Sequence, residues 1–128
     1  MDSTGGQAND EDVRSLEAEV RLIIASPRKF SEYALNPDHP KSKAPIFVDH
    51  FGYHPRSLEH AAELSALYVD QARMCVSTGR YTLAARDEYG QRVTIPVDIQ
   101  GTTLVTGWIL RPNGVLALVT PFSGFARR

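Results

Sequence analysis

Residues 81–99 read YTLAARDEYGQRVTIPVDI, and this stretch decides the fold. Val93, Ile95, Val97 and Ile99 alternate with Arg92, Thr94 and Asp98, so every second side chain shares a face, the period of an extended strand. Just upstream, Tyr81, Leu83 and Ala85 alternate with Thr82, Ala84 and Arg86, and the polar run at 87–90 between the two segments reads as a hairpin turn. Pro96 has no amide hydrogen to give to a ladder, which predicts a sheet edge or a bulge beside it.

Working outward, Gln100, Gly101 and Thr102 predict the next turn, residues 103–110 a third strand, Arg-Pro-Asn-Gly at 111–114 another turn, and residues 115–120 a fourth strand. Towards the N-terminus the period changes to 3.6. Leu58, Ala61, Leu64, Tyr68, Ala72 and Cys75 trace one helical stripe, Ser57 follows Pro55 and Gly79 stops the run, so a helix is expected over 57–77. Ala44, Phe47, Val48 and Phe51 predict a shorter helix over 43–51, and residues 30–35 a further helical turn. Val13, Leu16, Val20, Ile23 and Ile24 predict an amphipathic helix between the acidic start at 10–12 and Pro27. Helices first and an antiparallel meander last define an α+β fold, with N-terminal helices followed by a four-stranded antiparallel β-meander.

The chain has 128 residues, 42% hydrophobic and 23% charged, which fits a single α+β domain over 10–128 behind a disordered acidic tail at 1–9. No run approaches the roughly 20 apolar residues that span a bilayer, and the polar, acidic start does not read as a secretion signal, so no membrane partner and a cytoplasmic location are expected. Cys75 stands alone and can form no internal disulfide or multi-cysteine zinc site. The net charge of -1 hides a division. Residues 1–26 carry six acids against two bases, leaving nine acids and twelve bases in the remainder, a mildly basic body far short of a general nucleic-acid binder.

The densest chemistry lies in NPDHPKSK, residues 36–43. Two prolines stiffen a loop that carries Asn36, Asp38, His39, Lys41 and Lys43. His39 suits proton transfer near neutral pH, and Lys43 suits neutralisation of a developing phosphorane. The plainer alternative is that Asp38 caps a turn, His39 packs against the body and the lysines are solvated. Of the four histidines, His50 and His54 have i, i+4 spacing, but Gly52 and Pro55 interrupt any helix that would align them, so no metal is expected. Glycine-rich phosphate loops are absent from the sequence, so no cofactor is expected. On the sheet, Arg92, Thr94 and Asp98 share one face, and Thr106 and Trp108 share a face of the next strand. The polar residues among these are expected to line an open, ligand-accepting surface, against the plainer alternative of a solvated sheet face, and Trp108 either stacks on a base or, as a lone Trp in an apolar strand usually does, fills core. Cys75 falls on the apolar stripe and reads as core.

The string YALNPDHP at 33–40, Lys43-Ala44, Phe47, FGY at 51–53, YGQ at 89–91, TGWI at 106–109 and LVT at 118–120 resembles an uncharacterised bacterial domain family with an LNPDHP…KA motif, over about residues 29–121. That family occurs alone or as the C-terminal module of polymorphic toxins. Here only Lys41 and Ser42 separate Pro40 from Lys43, where members usually have a longer, glycine-containing stretch, and Pro45 stands where a basic residue is common. The resemblance implies a toxin-module-like protein. The order of helices then meander is also similar to small metal-independent ribonucleases. By that analogy His39 activates a ribose 2′-hydroxyl, Lys43 and Arg92 hold the phosphate, and Thr106 or Thr120 positions it, with RNA as partner. The competing expectation is a non-catalytic module that binds a cognate protein, as a partner or immunity-like component.

Overall fold

The structure, a computed structural model, describes residues 16–126. The expected tail at 1–9 and the start of the first helix lie outside the described residues. Among the described residues five strands form one sheet in the order β1-β5-β4-β3-β2: β1 (Leu22–Ile24), β2 (Thr82–Asp87), β3 (Gly90–Ile99), β4 (Thr102–Leu110) and β5 (Val115–Thr120). β2 to β5 form the expected antiparallel meander. The β3–β4 turn is the two-residue hairpin of Gln100 and Gly101, whose φ values of 50° and 82° suit that tight reversal.

β1 is a correction. Residues 16–19 are helical, but Leu22, Ile23 and Ile24 leave the expected helix and pair in parallel with Val115, Leu116 and Ala117. The Gly114 carbonyl accepts from the amides of Arg21 (2.8 Å) and Leu22 (3.3 Å), so the free edge of β5 captures the segment. Leu-Ile-Ile fits either period, and the sheet edge supplies the partner that decides.

The long helix, α1 (Leu58–Thr78), matches the expectation closely. Ser57 Oγ accepts the His60 amide at 3.1 Å, an N-cap bond. Ala61, Leu64, Tyr68, Ala72, Cys75 and Val76 are buried, whereas Leu58, counted in the stripe from its spacing, is 77% exposed. The two shorter helical segments, Phe30–Ala34 and Pro45–His50, wind more widely, as π turns; Leu35 donates back to Phe30 and Phe51 back to Ile46, five residues each.

The core lies between α1 and one face of the sheet. Val93, Ile95, Val97 and Ile99 meet Leu104, Thr106 and Trp108 there, with Phe30 edge-on to Tyr68 at 4.9 Å. Each fully buried large side chain contributes roughly 1.5–3 kcal/mol. Tyr68 also donates its hydroxyl to the Pro121 carbonyl at 2.7 Å, tying α1 to the segment after β5. The prolyl prediction holds: pairing with β2 ends at Thr94, so Pro96 lies beyond the end of β2, on an edge of β3. There Gln71 of α1 acts as a substitute strand. Its carboxamide donates to the Asp98 carbonyl at 2.6 Å and accepts from the Asp98 amide at 2.7 Å.

Candidate functional site

The NPDHP loop is held by its own short-range bonds. Asn36 Oδ1 accepts the Asp38 amide at 2.9 Å, the Asn36 carbonyl accepts the His39 amide at 3.2 Å, and the His39 carbonyl accepts the Ser42 amide at 2.9 Å. Asn36 and Asp38 therefore shape the loop by the side-chain turn chemistry that favours these residues. Asp38 is also ion-paired to Arg56, whose amide donates to the Leu35 carbonyl at 3.1 Å, so the loop is fastened to the connection preceding α1.

His39 is half-buried, its ring edge-on to Tyr33 at 4.7 Å. Its Nδ1 accepts the Lys41 amide at 3.0 Å. While that bond holds, Nδ1 carries no proton and the neutral ring presents Nε2–H, a donor suited to an oxyanion rather than a base. Tyr33, His39 and Lys41 line a cleft of about 590 Å³ together with Arg28, Lys29 and Val119. Val119 reaches this place because a bulge opposite Gly107 and Trp108 leaves it without a ladder partner. Arg28 grips Glu32 with two bonds, Nε to Oε2 at 2.8 Å and Nη2 to Oε1 at 3.1 Å. These bonds lower the Glu32 carboxyl below its ordinary range and raise the Arg28 guanidinium above its own. With that pair neutral, Lys29 and Lys41 leave the cleft positive beside an aromatic ring.

The other expected site residues are elsewhere. Thr106 and Trp108 face the core, not an open surface: Trp108 is 1% exposed and Thr106 fully buried. Trp108 Nε1 donates to Thr106 Oγ1 at 2.7 Å, and Thr106 donates to the Ile95 carbonyl at 2.6 Å. The alternation that buries Val93 and Ile95 sends Arg92 to the opposite face, across from Ile109, so Arg92 and Thr106 flank the sheet rather than one ligand. Thr120 lies opposite Gly107 on that outer face. The Lys43 ammonium sits 5.8 Å from the Phe122 ring centroid, whereas the His39 ring packs on Tyr33. Asn36, Asp38 and His39 thus belong together, and Arg28, Lys29 and Tyr33 join them without having been singled out. Tyr33 stood in the motif string, and Arg28 and Lys29 precede it by only five and four residues on the same helical run, a local signal that could have found them.

Cys75 is buried as expected, and burial pushes its thiol above the ordinary range. Among the described residues no three His, Cys, Asp or Glu side chains cluster to hold a metal, and no helix is long and apolar enough to cross a membrane.

Fold and cleft together define a small α+β protein, a meander sheet under one long helix with a basic, histidine-bearing loop at its rim. The chain belongs to the family described as Domain of unknown function (DUF6883), whose profile matches residues 16–124. No curated protein and no solved structure matches it.

Proposed function

We propose that the protein engages RNA at the His39 cleft, as a toxin-module-like, metal-independent ribonuclease acting in the cytoplasm. The observation that carries this reading is the convergence of His39, Lys41, Lys29 and the Tyr33 ring on one cleft. Cations suit the phosphodiester, the neutral Nε2–H suits a phosphoryl oxygen, and the aromatic ring suits an unpaired base. Arg92, Thr106 and Trp108 take no part in this version of the site. Cleavage requires His39 to release the Lys41 amide, since only then is a ring nitrogen with a lone pair available to take the 2′-hydroxyl proton.

The test uses a labelled single-stranded RNA in excess chelator, with wild type, His39→Ala and Lys41→Gln compared for binding and for cleavage. Cleavage by wild type that is lost in His39→Ala, with the fold retained, supports the ribonuclease. RNA binding without cleavage reduces the reading to an RNA-binding module. No binding by wild type at low salt overturns it. The second reading, a non-catalytic protein-binding module, is favoured by one feature: Phe125, 51% exposed, packs edge-on against Phe122 at 5.2 Å beside Lys43, an aromatic surface of the kind that anchors interfaces.

A further inference from the structure

A second cleft, of about 610 Å³, lies at the other end of β5 from Val119, where the 111–114 turn meets the β2–β3 hairpin. Three arginines line it, Arg21, Arg86 and Arg111. Arg21 is fixed at its base by the bond from its amide to Gly114, and its stem lies flat on that glycine: a Cβ added at 114 would stand 2.8 Å from Arg21 Cγ. Arg86 donates from Nε to Gln91 Oε1 at 3.1 Å. Gln91 is 8% exposed, and its amide nitrogen is tied to the carbonyls of Ala84 (2.8 Å) and Arg92 (2.9 Å), so a buried side chain aims the guanidinium. Arg111 opens the turn, donating its amide to Val115 and accepting from Gly114, both at 2.9 Å.

The floor of the cleft is backbone. Gly90 has a φ of 139°, and a Cβ there would lie 2.2 Å from the Leu110 carbonyl oxygen. Two carboxylates share the cleft: Glu19 stands 3.8 Å from Arg86, and Asp87 accepts the Tyr89 amide at 2.8 Å. Among the described residues, three guanidinium groups against two carboxylates leave a positive excess. Among the described residues no ion pair involves Arg21 or Arg111.

The geometry points to this cleft as a binding site for the phosphate group of a small phosphorylated molecule. Planar guanidinium forks match pairs of phosphate oxygens, and the Arg86 fork is aimed by Gln91 and the Arg21 stem packed on Gly114 before any ligand arrives, which lowers the ordering cost of binding. The site is separate from the His39 cleft and stands whether or not that cleft takes RNA.

The test is a titration of the isotope-labelled full chain with inorganic pyrophosphate, followed by amide and arginine side-chain resonances. Residues 111–114 and the Nε–H signals of Arg21, Arg86 and Arg111 are expected to shift together with one Kd. Arg111→Gln, at an exposed turn position, is expected to weaken binding about fivefold, the effect of losing one solvent-exposed charge contact. Arg86→Lys keeps the charge but not the fork and is expected to weaken binding too. Arg80→Gln removes the same charge outside the cleft and is expected to leave Kd unchanged. A mononucleotide that shifts the same signals extends the ligand from free phosphate to a phosphomonoester. Equal affinity for malonate, equal weakening by Arg80→Gln, shifts confined to residues 28–41, or RNA binding at this cleft with no response to pyrophosphate would each overturn the proposal.

Discussion

The indole N–H of Trp108 donates to the hydroxyl of Thr106 at 2.7 Å, two residues away on the same buried face of β4. That hydroxyl donates onward to the Ile95 carbonyl at 2.6 Å, so one oxygen links the indole to the neighbouring strand. Thr106→Val keeps the shape and leaves the buried Trp108 N–H unpaired, at a cost of about 2 kcal/mol. Thr106→Ser retains the hydroxyl and loses only a methyl, about 1 kcal/mol. Urea unfolding separates the two. Equal stability of Thr106→Val and wild type would mean the chain of bonds contributes nothing.

Gly90 begins β3 against the end of β4. A methyl group there would meet the Leu110 carbonyl oxygen at 2.2 Å, and the φ of 139° is one that side-chain-bearing residues rarely adopt. Gly90→Ala is therefore expected to destabilise by about 3 kcal/mol or more, from overpacking and backbone strain together. Thermal unfolding measures it, and a loss below about 1 kcal/mol would show that the two strands separate freely at this end.

Gln71 completes the edge of β3 where β2 has ended, through both polar groups of Asp98. Gln71→Ala returns those groups to water, so the expected cost is modest, about 1 kcal/mol. The sharper readout is hydrogen exchange: the Asp98 amide is expected to lose protection while the Val97 and Ile99 amides keep theirs. Unchanged Asp98 protection would remove Gln71 from its role as a substitute strand.

Alkaline pH tests the buried acids. Desolvation by burial raises both the Tyr68 hydroxyl and the Cys75 thiol, so the folded protein retains protons that the unfolded chain gives up. Their contribution to stability is full below the ordinary thiol and phenol values of about 8.5 and 10, and is lost as pH rises from there towards the folded values. The melting temperature is expected to fall as pH rises above about 9, and Cys75→Ala to delay the onset. A melting temperature flat from neutral to strongly alkaline pH would contradict the burial of both groups.

Much of the fold was legible because its signals are local. Alternation at 93, 95, 97 and 99 names both a strand and its buried face, and Ser57 with Gly79 brackets α1. The error over Leu22–Ile24 has the opposite cause: three consecutive apolar residues carry no period of their own. The site was half legible. NPDHP announces a stiff loop, and the structure makes Asn36 and Asp38 its braces. The residue types of Thr106 and Trp108 are chemically capable, and only the packing of β4 places both in the core.

By itself the sequence determined the meander, its turns, the long helix and the rigid loop around His39, because each follows from propensities and periods within about twenty residues. Tertiary structure alone decided that Thr106 and Trp108 lie on the buried face of β4, that Leu22–Ile24 becomes a strand, and that Val119 joins the cleft of His39. Those outcomes depend on contacts between distant segments: the Gly114 carbonyl meets Arg21, and Val119 meets the cleft of Tyr33 and Lys41. A one-residue change of strand parity moves a side chain from core to solvent, and that parity is set by what packs against the sheet.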